Sequence, residues 1–369
     1  MRYTREDGCR AWLAYGDIQP EPMAALLEEF GSCEAAYDRF RAQGPSALKA
    51  YAGEGQLKRL RERSTKDAMH EMMLVMQRLE IGIFSQDDPA YPDALRNIPD
   101  PPFQLFYRGN PDCLSNRCVT MIGSRKSSRT GETAAYTVAK ELSINGVCVV
   151  SGLALGIDTA AIKGGLDGGT PVAGILGCGL DVDYPAANRA LKERIIAVGG
   201  VLLSEYPPGV KALPHHFPVR NRIMSGLSSA VLMMESGIRS GSMITVQHAL
   251  DQGREVYAYP GEPGTAWAEG AHRLLREGAN YFASARDVLE DMGWLSAEPA
   301  KETAQKLPSM SPSLQKVYDL LKRGEMSYDE LAVSSGMDPS TLSGALTMLQ
   351  IMGLVEAQPG KVYKTARAV

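Results

Sequence analysis

The chain has 369 residues, of which 44% are hydrophobic, and a formal net charge of -4. That is enough apolar material for two or three packed domains, and too few surplus cations to attract polyanions over the whole surface. Any nucleic-acid affinity must come from a local patch, and six cysteines scattered without a CxxC spacing suggest neither a disulfide framework nor a zinc site. The sequence has no run of about 18 apolar residues and its first residues lack the apolar core of a secretory signal, so a cytoplasmic protein without membrane contact is expected.

Residues 1–80 predict a small helical domain. Its amphipathic runs, WLAYGDI, PMAALLEEFGSCEAAYDRF and LKRLRERSTKDAMHEMMLVMQRLE, are broken at glycine and proline. Within it, residues 57–66 carry Lys58, Arg59, Arg61, Arg63 and Lys66 against Glu62, a density that more often marks a solvated helix face than a polyanion site. The proline-rich stretch 87–102 (DDPAYPDALRNIPDPP) excludes regular helix, because proline removes a backbone donor and restricts the residue before it. It reads as an ordered lead-in to the next domain.

Across residues 81–295, short apolar β-type runs alternate with helical patterns. CVTMI precedes a helix over 131–143, VCVVS one over 158–166 and PVAGILG one over 187–198. VLLSEY follows, then SAVLMME with a helix over 243–252, then EVYAYP. Near-continuous apolar strands separated by helices predict an α/β fold, a Rossmann-like and mostly parallel sheet with helices on both faces. The polar segment 296–311 predicts a linker, and 312–369 reads as three helices and a two-stranded wing, the order of a winged-helix-like domain. Asp338 before Pro339 supplies a helix cap followed by proline at the first helical position.

Four segments of the α/β region read as phosphate-friendly loops: GSRKSSRTG (123–131), SGLALGID (151–158), FPVRNRIMSG (217–226) and ESGIRSGSMIT (235–245). The first, second and fourth follow a β-type run and open a helix, where free backbone N–H groups favour anions. In the first, Gly123 allows close backbone approach, Ser124 adds a neutral donor, and Arg125, Lys126 and Arg129 stand without a carboxylate from 118 to 131. Residues 211–224 are likewise free of acids, with Arg220 and Arg222 flanking Asn221, and Phe217 close by. Cations interleaved with an aromatic suit single-stranded nucleic acid, which needs charge for its backbone and a ring face for an unstacked base, although Phe217 would equally serve a core. In the fourth, Arg239, Ser240, Gly241 and Ser242 lie at a helix start. GCGLDVDYP adds Asp181 and Asp183, two carboxylates that are weak evidence for a metal. A lysine-bearing P-loop and the dinucleotide-binding GxGxxG are both missing, so no cofactor is expected.

The ordered set GSRKSS, SGLALGIDTAAI, GILGCGLDVDYP, LLSEYPPG, HFPVRNRIMSGLS and VLMMESGIRSGSMITVQHALDQGREVYAYPG resembles the DNA processing protein A family, DprA or Smf, through roughly residues 87–289. The resemblance implies a Rossmann-like domain that binds single-stranded DNA without strong sequence preference, acts as a homodimer, and helps load the RecA recombinase during natural transformation. Catalysis is not implied. By motif position the DNA contacts would be Gly123, Ser124, Arg125, Arg220, Asn221, Arg222 and residues 239–242. The chain departs from the family pattern at Leu155, where a basic residue is common, and at His272, where asparagine is common.

An enzyme is the competing reading, because related Rossmann-like folds include nucleotide-binding and nucleoside-phosphate-hydrolysing proteins with a PGGxGTxxE motif. Here Pro260 and Gly261 are followed by Glu262, Pro263, Gly264 and Thr265, without the second adjacent glycine or the glutamate spacing. A third reading, a regulator of duplex DNA, is weakened by residues 339–352 (PSTLSGALTMLQIM), a recognition helix with no Lys or Arg.

Overall fold

The structure is a computed structural model. It describes residues 3–295 and 311–365, apart from 323, 352–353 and 359. It forms two compact units that part between Leu295 and Ser296. The expected linker, apart from Ser311, lies outside the described residues.

The first unit opens with α1 (Arg5–Ala14), α2 (Pro20–Phe30), α3 (Cys33–Gln43), α4 (Glu54–Arg63) and α5 (Lys66–Arg78). Two runs that read as single helices are each split by local chemistry. Gly31 ends α2 in the left-handed region at φ 76°, and the Ser32 hydroxyl then caps α3. The Thr65 hydroxyl caps α5 in the same way. Trp12 is fully buried among these helices, its indole N–H donating to Leu60 O at 2.9 Å. The helical module shares its core with the sheet: Ala11, Tyr15, Met72 and Met76 pack in one cluster with strand residues Phe106, Val119 and Met121, and Tyr15 Oη donates to Pro208 O at 2.6 Å. Part of the basic stretch serves this packing, since Arg59 donates to the carbonyls of Tyr15 and Gly16 and Arg63 lies over the Tyr15 ring.

The sheet elements then run β1 (Gly82–Ser85), α6 (Asp93–Arg96), β2 (Gln104–Gly109), β3 (Cys118–Ile122), α7 (Arg129–Ile144), β4 (Cys148–Ser151), α8 (Ile157–Gly168) and β5 (Ala173–Ile175). They continue through α9 (Arg189–Ala197), β6 (Val201–Ser204), α10 (His216–Leu227), β7 (Ala230–Met233), α11 (Ser242–Asp251) and β8 (Glu255–Ala258). The unit closes with α12 (Glu269–Arg276), β9 (Asn280–Tyr281) and α13 (Ala285–Asp291). The sheet order is β1-β2-β6-β5-β4-β3-β7-β8-β9. All neighbours from β6 to β9 pair in parallel, whereas β1 and β2 form an antiparallel edge. That edge brackets the proline-rich lead-in, and its four-residue β1 is too short for hydrophobic alternation to reveal it.

Alternate strand residues feed two cores, as a sheet covered on both faces requires. Val119, Met121 and Val149 enter the core that includes α7 and α8, while Cys118, Ile122 and Val150 face the one that includes α10 and α11. The architecture is therefore the expected α/β fold, a mostly parallel sheet layered by helices. No helix of the described residues is long and apolar enough to cross a membrane.

In the second unit, α14 (Pro312–Leu321), β10 (Met326–Ser327), α15 (Tyr328–Ser335), α16 (Pro339–Ile351), β11 (Val355–Gln358) and β12 (Val362–Thr365) form a winged helix, with a sheet ordered β10-β12-β11. Asp338 caps α16, accepting from the backbone N–H groups of Ser340 and Thr341 at 3.0 Å each.

Against one face of the sheet, α7 and α8 approach closely because α8 carries glycine at the contact. A Cβ on Gly164 would fall 2.1 Å from Tyr136 O, and the Ser143 hydroxyl donates to Gly165 O at 2.6 Å. Backbone blocks that Cβ, so Gly164→Ala must push the helices apart. We expect a loss of about 2–3 kcal/mol in chemical unfolding at unchanged m-value; an unchanged midpoint would show that the helices are not in this contact.

Candidate functional site

The chain runs outward from β3 through β4, β5 and β6 and then returns to place β7 on the other side of β3. In open α/β sheets, the crevice beyond the carboxyl ends of the strands at such a reversal is where ligands bind. Three of the four anion-friendly segments form loops at this edge, at 123–128 after β3, 152–156 after β4 and 234–241 after β7.

These loops are tied together through Glu235, a buried side chain. Ser128 donates its backbone N–H (2.8 Å) and its hydroxyl (2.5 Å) to the two carboxylate oxygens, and Ser124 N–H donates to the Glu235 carbonyl at 2.7 Å. The Ser128 hydroxyl also caps α7 by accepting from Gly131 N–H at 2.9 Å. The middle loop joins them where Ile157 N–H donates to Ser124 O (3.3 Å), and Gly156, at φ 78°, leaves no room for a side chain, since a Cβ would lie 2.4 Å from Ser124 O.

The remaining segment, 217–226, expected as a loop, is α10. Its residues lie about 100° apart around the axis, so Arg220 and Arg222 point about 200° apart and meet different surroundings. Phe217, Arg220 and Asn221 face a groove of about 590 Å³. Gly123, Ser124, Arg125 and Lys126 form its second wall and Ser240, Gly241 and Ser242 its third. The Arg125 guanidinium carbon lies 5.2 Å from the Phe217 ring centre, and that of Arg220 at 6.0 Å. Arg125, Lys126 and Arg239 are exposed and form no ion pair among the described residues, and Arg239 stands on the loop beside the groove without lining it.

Arg222 leaves the set. It lies on the opposite side of α10, buried, with Nη1 and Nη2 donating to Glu205 at 2.6 and 2.7 Å and Nε to Asp100 at 3.0 Å. All three nitrogens are engaged by carboxylates, so its role is to hold α10 to the segments after β6 and before β2, in place of the phosphate contact expected from the sequence.

Arg220 is also a correction to the loop expectation. It is 4% exposed and its Nη1 donates to Gly152 O at 3.0 Å and to Ile175 O, bridging the ends of β4 and β5. Asp158 shares this interior: a Cβ on Gly152 would lie 2.5 Å from Arg220 Nη2 and 2.8 Å from Asp158 Oδ2. Burial pushes the Asp158 carboxyl up to about 6 against the opposing pull of Arg220, and burial also lowers the Arg220 guanidinium, to about 10. Arg220 is thus a buried positive floor to the groove rather than a free side chain.

Tyr184 carries no signal in the sequence, where GCGLDVDYP stands out only for its carboxylates. Its ring, 41% exposed, lies 5.3 Å from that of Phe217 at 39°, which extends the aromatic surface. The carboxylates have structural partners instead: Asp181 accepts from Gly209 N–H at 2.9 Å, and Asp183 pairs with Lys192 and Arg189. No cluster of three or more potential metal ligands occurs among the described residues.

Residues 82–293 match the family model for DNA recombination-mediator protein A, and residues 299–361 match that for the DprA winged helix domain. The chain belongs to the DprA/Smf family. It is 43% identical over 208 residues to DNA processing protein DprA of Streptococcus pneumoniae strain ATCC BAA-255 / R6, a match that covers 56% of this chain and 73% of that protein. Against protein Smf of Escherichia coli K12, identity is 34% over 289 residues, 76% of this chain and 77% of the relative. Among solved structures, the X-ray structure of S. pneumoniae DprA superposes with a TM-score of 0.65 at 32% identity, covering 79% of this chain and 99% of that one. The Helicobacter pylori DprA structure, described in terms of its single-stranded DNA binding mode, superposes with a TM-score of 0.52 at 26% identity, covering 58% of this chain and 96% of that one.

The buried acid of this DprA/Smf site gives a signed pH dependence. Because the folded-state value of Asp158 is raised from 3.8 to about 6, the folded protein takes up a proton between those pH values that the unfolded chain does not. Its contribution to stability is therefore most favourable below pH 3.8 and declines as pH rises through 6. Asp158→Asn removes that decline, so thermal unfolding should find the variant more stable than the parent at about pH 7.5, by up to roughly 3 kcal/mol, with the gap closing toward about pH 4.5. A gap that is the same at both pH values would contradict the assignment.

Proposed function

We propose that the groove binds single-stranded DNA without strong sequence preference, that the protein does so as a homodimer, and that it helps load RecA recombinase on the bound strand during natural transformation. In this reading the protein is a binder and not a catalyst, with single-stranded DNA and RecA as its partners.

The observation that carries the binding claim is the meeting of free cations and an accessible aromatic surface in one groove. Arg125 and Lys126 are exposed beside Phe217 and Tyr184. Such a pairing offers charge to phosphates and a ring face to any base, with no demand on its identity. Gly123, Ser124, Asn221, Arg239 and residues 240–242 complete the proposed contacts. Arg220 acts through its field from beneath and Arg222 is left out. The H. pylori relative's described single-stranded DNA binding mode supports the same ligand class, and the RecA and transformation roles are proposed from what the family resemblance implies.

Fluorescence anisotropy of a labelled single strand and its duplex, at two salt concentrations, tests the reading. The single strand should bind more tightly, with affinity that falls as salt rises by about 0.7 log unit per log unit of salt for each neutralised phosphate. Arg125→Glu should weaken binding at every sequence by about tenfold or more while leaving thermal unfolding unchanged, since the side chain is exposed. Unchanged affinity in that variant would remove the groove from consideration. No binding of either nucleic acid by the parent protein would favour a small nucleotide ligand at the same loops.

A further inference from the structure

A second depression adjoins the groove. Its volume is about 400 Å³ and its walls are α7 and α8, with Arg129 and Lys163 at its margins and Leu155 and Gly156 at its near end. Both cations are exposed and neither forms an ion pair among the described residues. Of the acids nearby, Glu132 lines the depression as a carboxylate whose Oε1 accepts from the Ser127 hydroxyl at 2.7 Å, so two cations face one acid there, and Asp167 is held by the Tyr136 hydroxyl at 2.6 Å and by Arg194 at 2.5 Å.

A third depression lies between the two. Ala154, Arg125 and Tyr184 line both the central groove and a neighbouring pocket of about 210 Å³, and that pocket shares Leu155 with the α7–α8 depression. The three depressions therefore form a series along the surface, from Phe217 past the 152–156 loop to Lys163. Along it, available positive charge recurs as Lys126 and Arg125 at one end and Arg129 and Lys163 at the other. The far end has a different lining from the centre. Among the described residues its aromatic lining residue is Tyr136, half-buried, with its hydroxyl donated to Asp167 at 2.6 Å; the rest of the lining is charge, hydroxyls and small apolar groups.

We infer that the α7–α8 depression is an additional phosphate-binding subsite, in which Arg129 and Lys163 hold the sugar-phosphate backbone of the same single strand as it leaves the central groove. The inference rests on the binding function proposed above and adds a direction to it: the strand passes over Leu155, toward α8, rather than toward α11. Two cations on one depression, unpaired among the described residues, suit successive phosphates of a polyanion.

Oligonucleotide length separates the subsite from the groove. With the full chain, anisotropy is measured for a labelled strand of about 4 nucleotides and one of about 16, the span of site sizes seen for non-specific single-strand binders. The Arg129→Ala, Lys163→Ala double variant should bind the short strand like the parent, bind the long strand about tenfold more weakly, and lose about 1.4 from its long-strand salt slope, two phosphates at about 0.7 each. Exposed side chains are removed, so an unchanged thermal midpoint serves as the folding control. Parental affinity and slope for the long strand, or equal weakening at both lengths, would overturn the subsite. A parent protein that binds neither strand would overturn the underlying binding reading and the subsite with it.

Discussion

The arrangement of the site depends on a buried carboxylate at the end of β7. Glu235 takes both donors of Ser128 on its side chain and the Ser124 N–H on its carbonyl. A buried charge is tolerated only when hydrogen bonds replace its hydration, and here those bonds fix the loop after β3 against the strand that crosses the topological reversal. The consequence is positional: Arg125 and Lys126 are presented on a loop whose two ends are anchored, so their charges stand over the groove with no ion pair among the described residues. Glycine at 156 then admits the middle loop to the same knot.

The two arginines of α10 show how a single helix divides its charge between structure and ligand. Arg222 closes a double ion pair behind the helix, and Arg220 bridges the ends of two central strands from below. Neither is placed as the sequence alone would have them, as loop cations reaching for phosphate. Both support the groove nonetheless: one fixes the helix that carries Phe217, and the other places a buried positive charge under it. Buried pairs of this kind contribute little net stability, but removing one member leaves an uncompensated charge. Their substitution would therefore disturb folding before it reported on binding.

Much of this was legible in the sequence because it was local. The β-run, small-residue loop and helix start around 118–131, 148–158 and 230–245 identify the strand ends, and their alternation determines a parallel sheet. Arg125 and Phe217 could be chosen from acid-free neighbourhoods. What stayed hidden depends on distant partners. The carboxylates that engage Arg222 lie 122 and 17 residues away, and nothing in PVRNRIM discloses them. Tyr184 reaches Phe217 only through the fold. The splits at Gly31 and at Thr65 carried ordinary stop and cap signals, yet the apolar periodicity ran across both, and β1 was too short to show any.

The central claim is that the surface between the first loop and α10 holds a single strand. Photocrosslinking of a strand carrying 5-iodouridine, with peptide mapping of the adducts, reads that surface directly. The account predicts that the crosslinked peptides contain Phe217 or Tyr184, whose rings are the accessible aromatic faces of the groove. Crosslinks confined to the winged helix, with none at those rings, would contradict it.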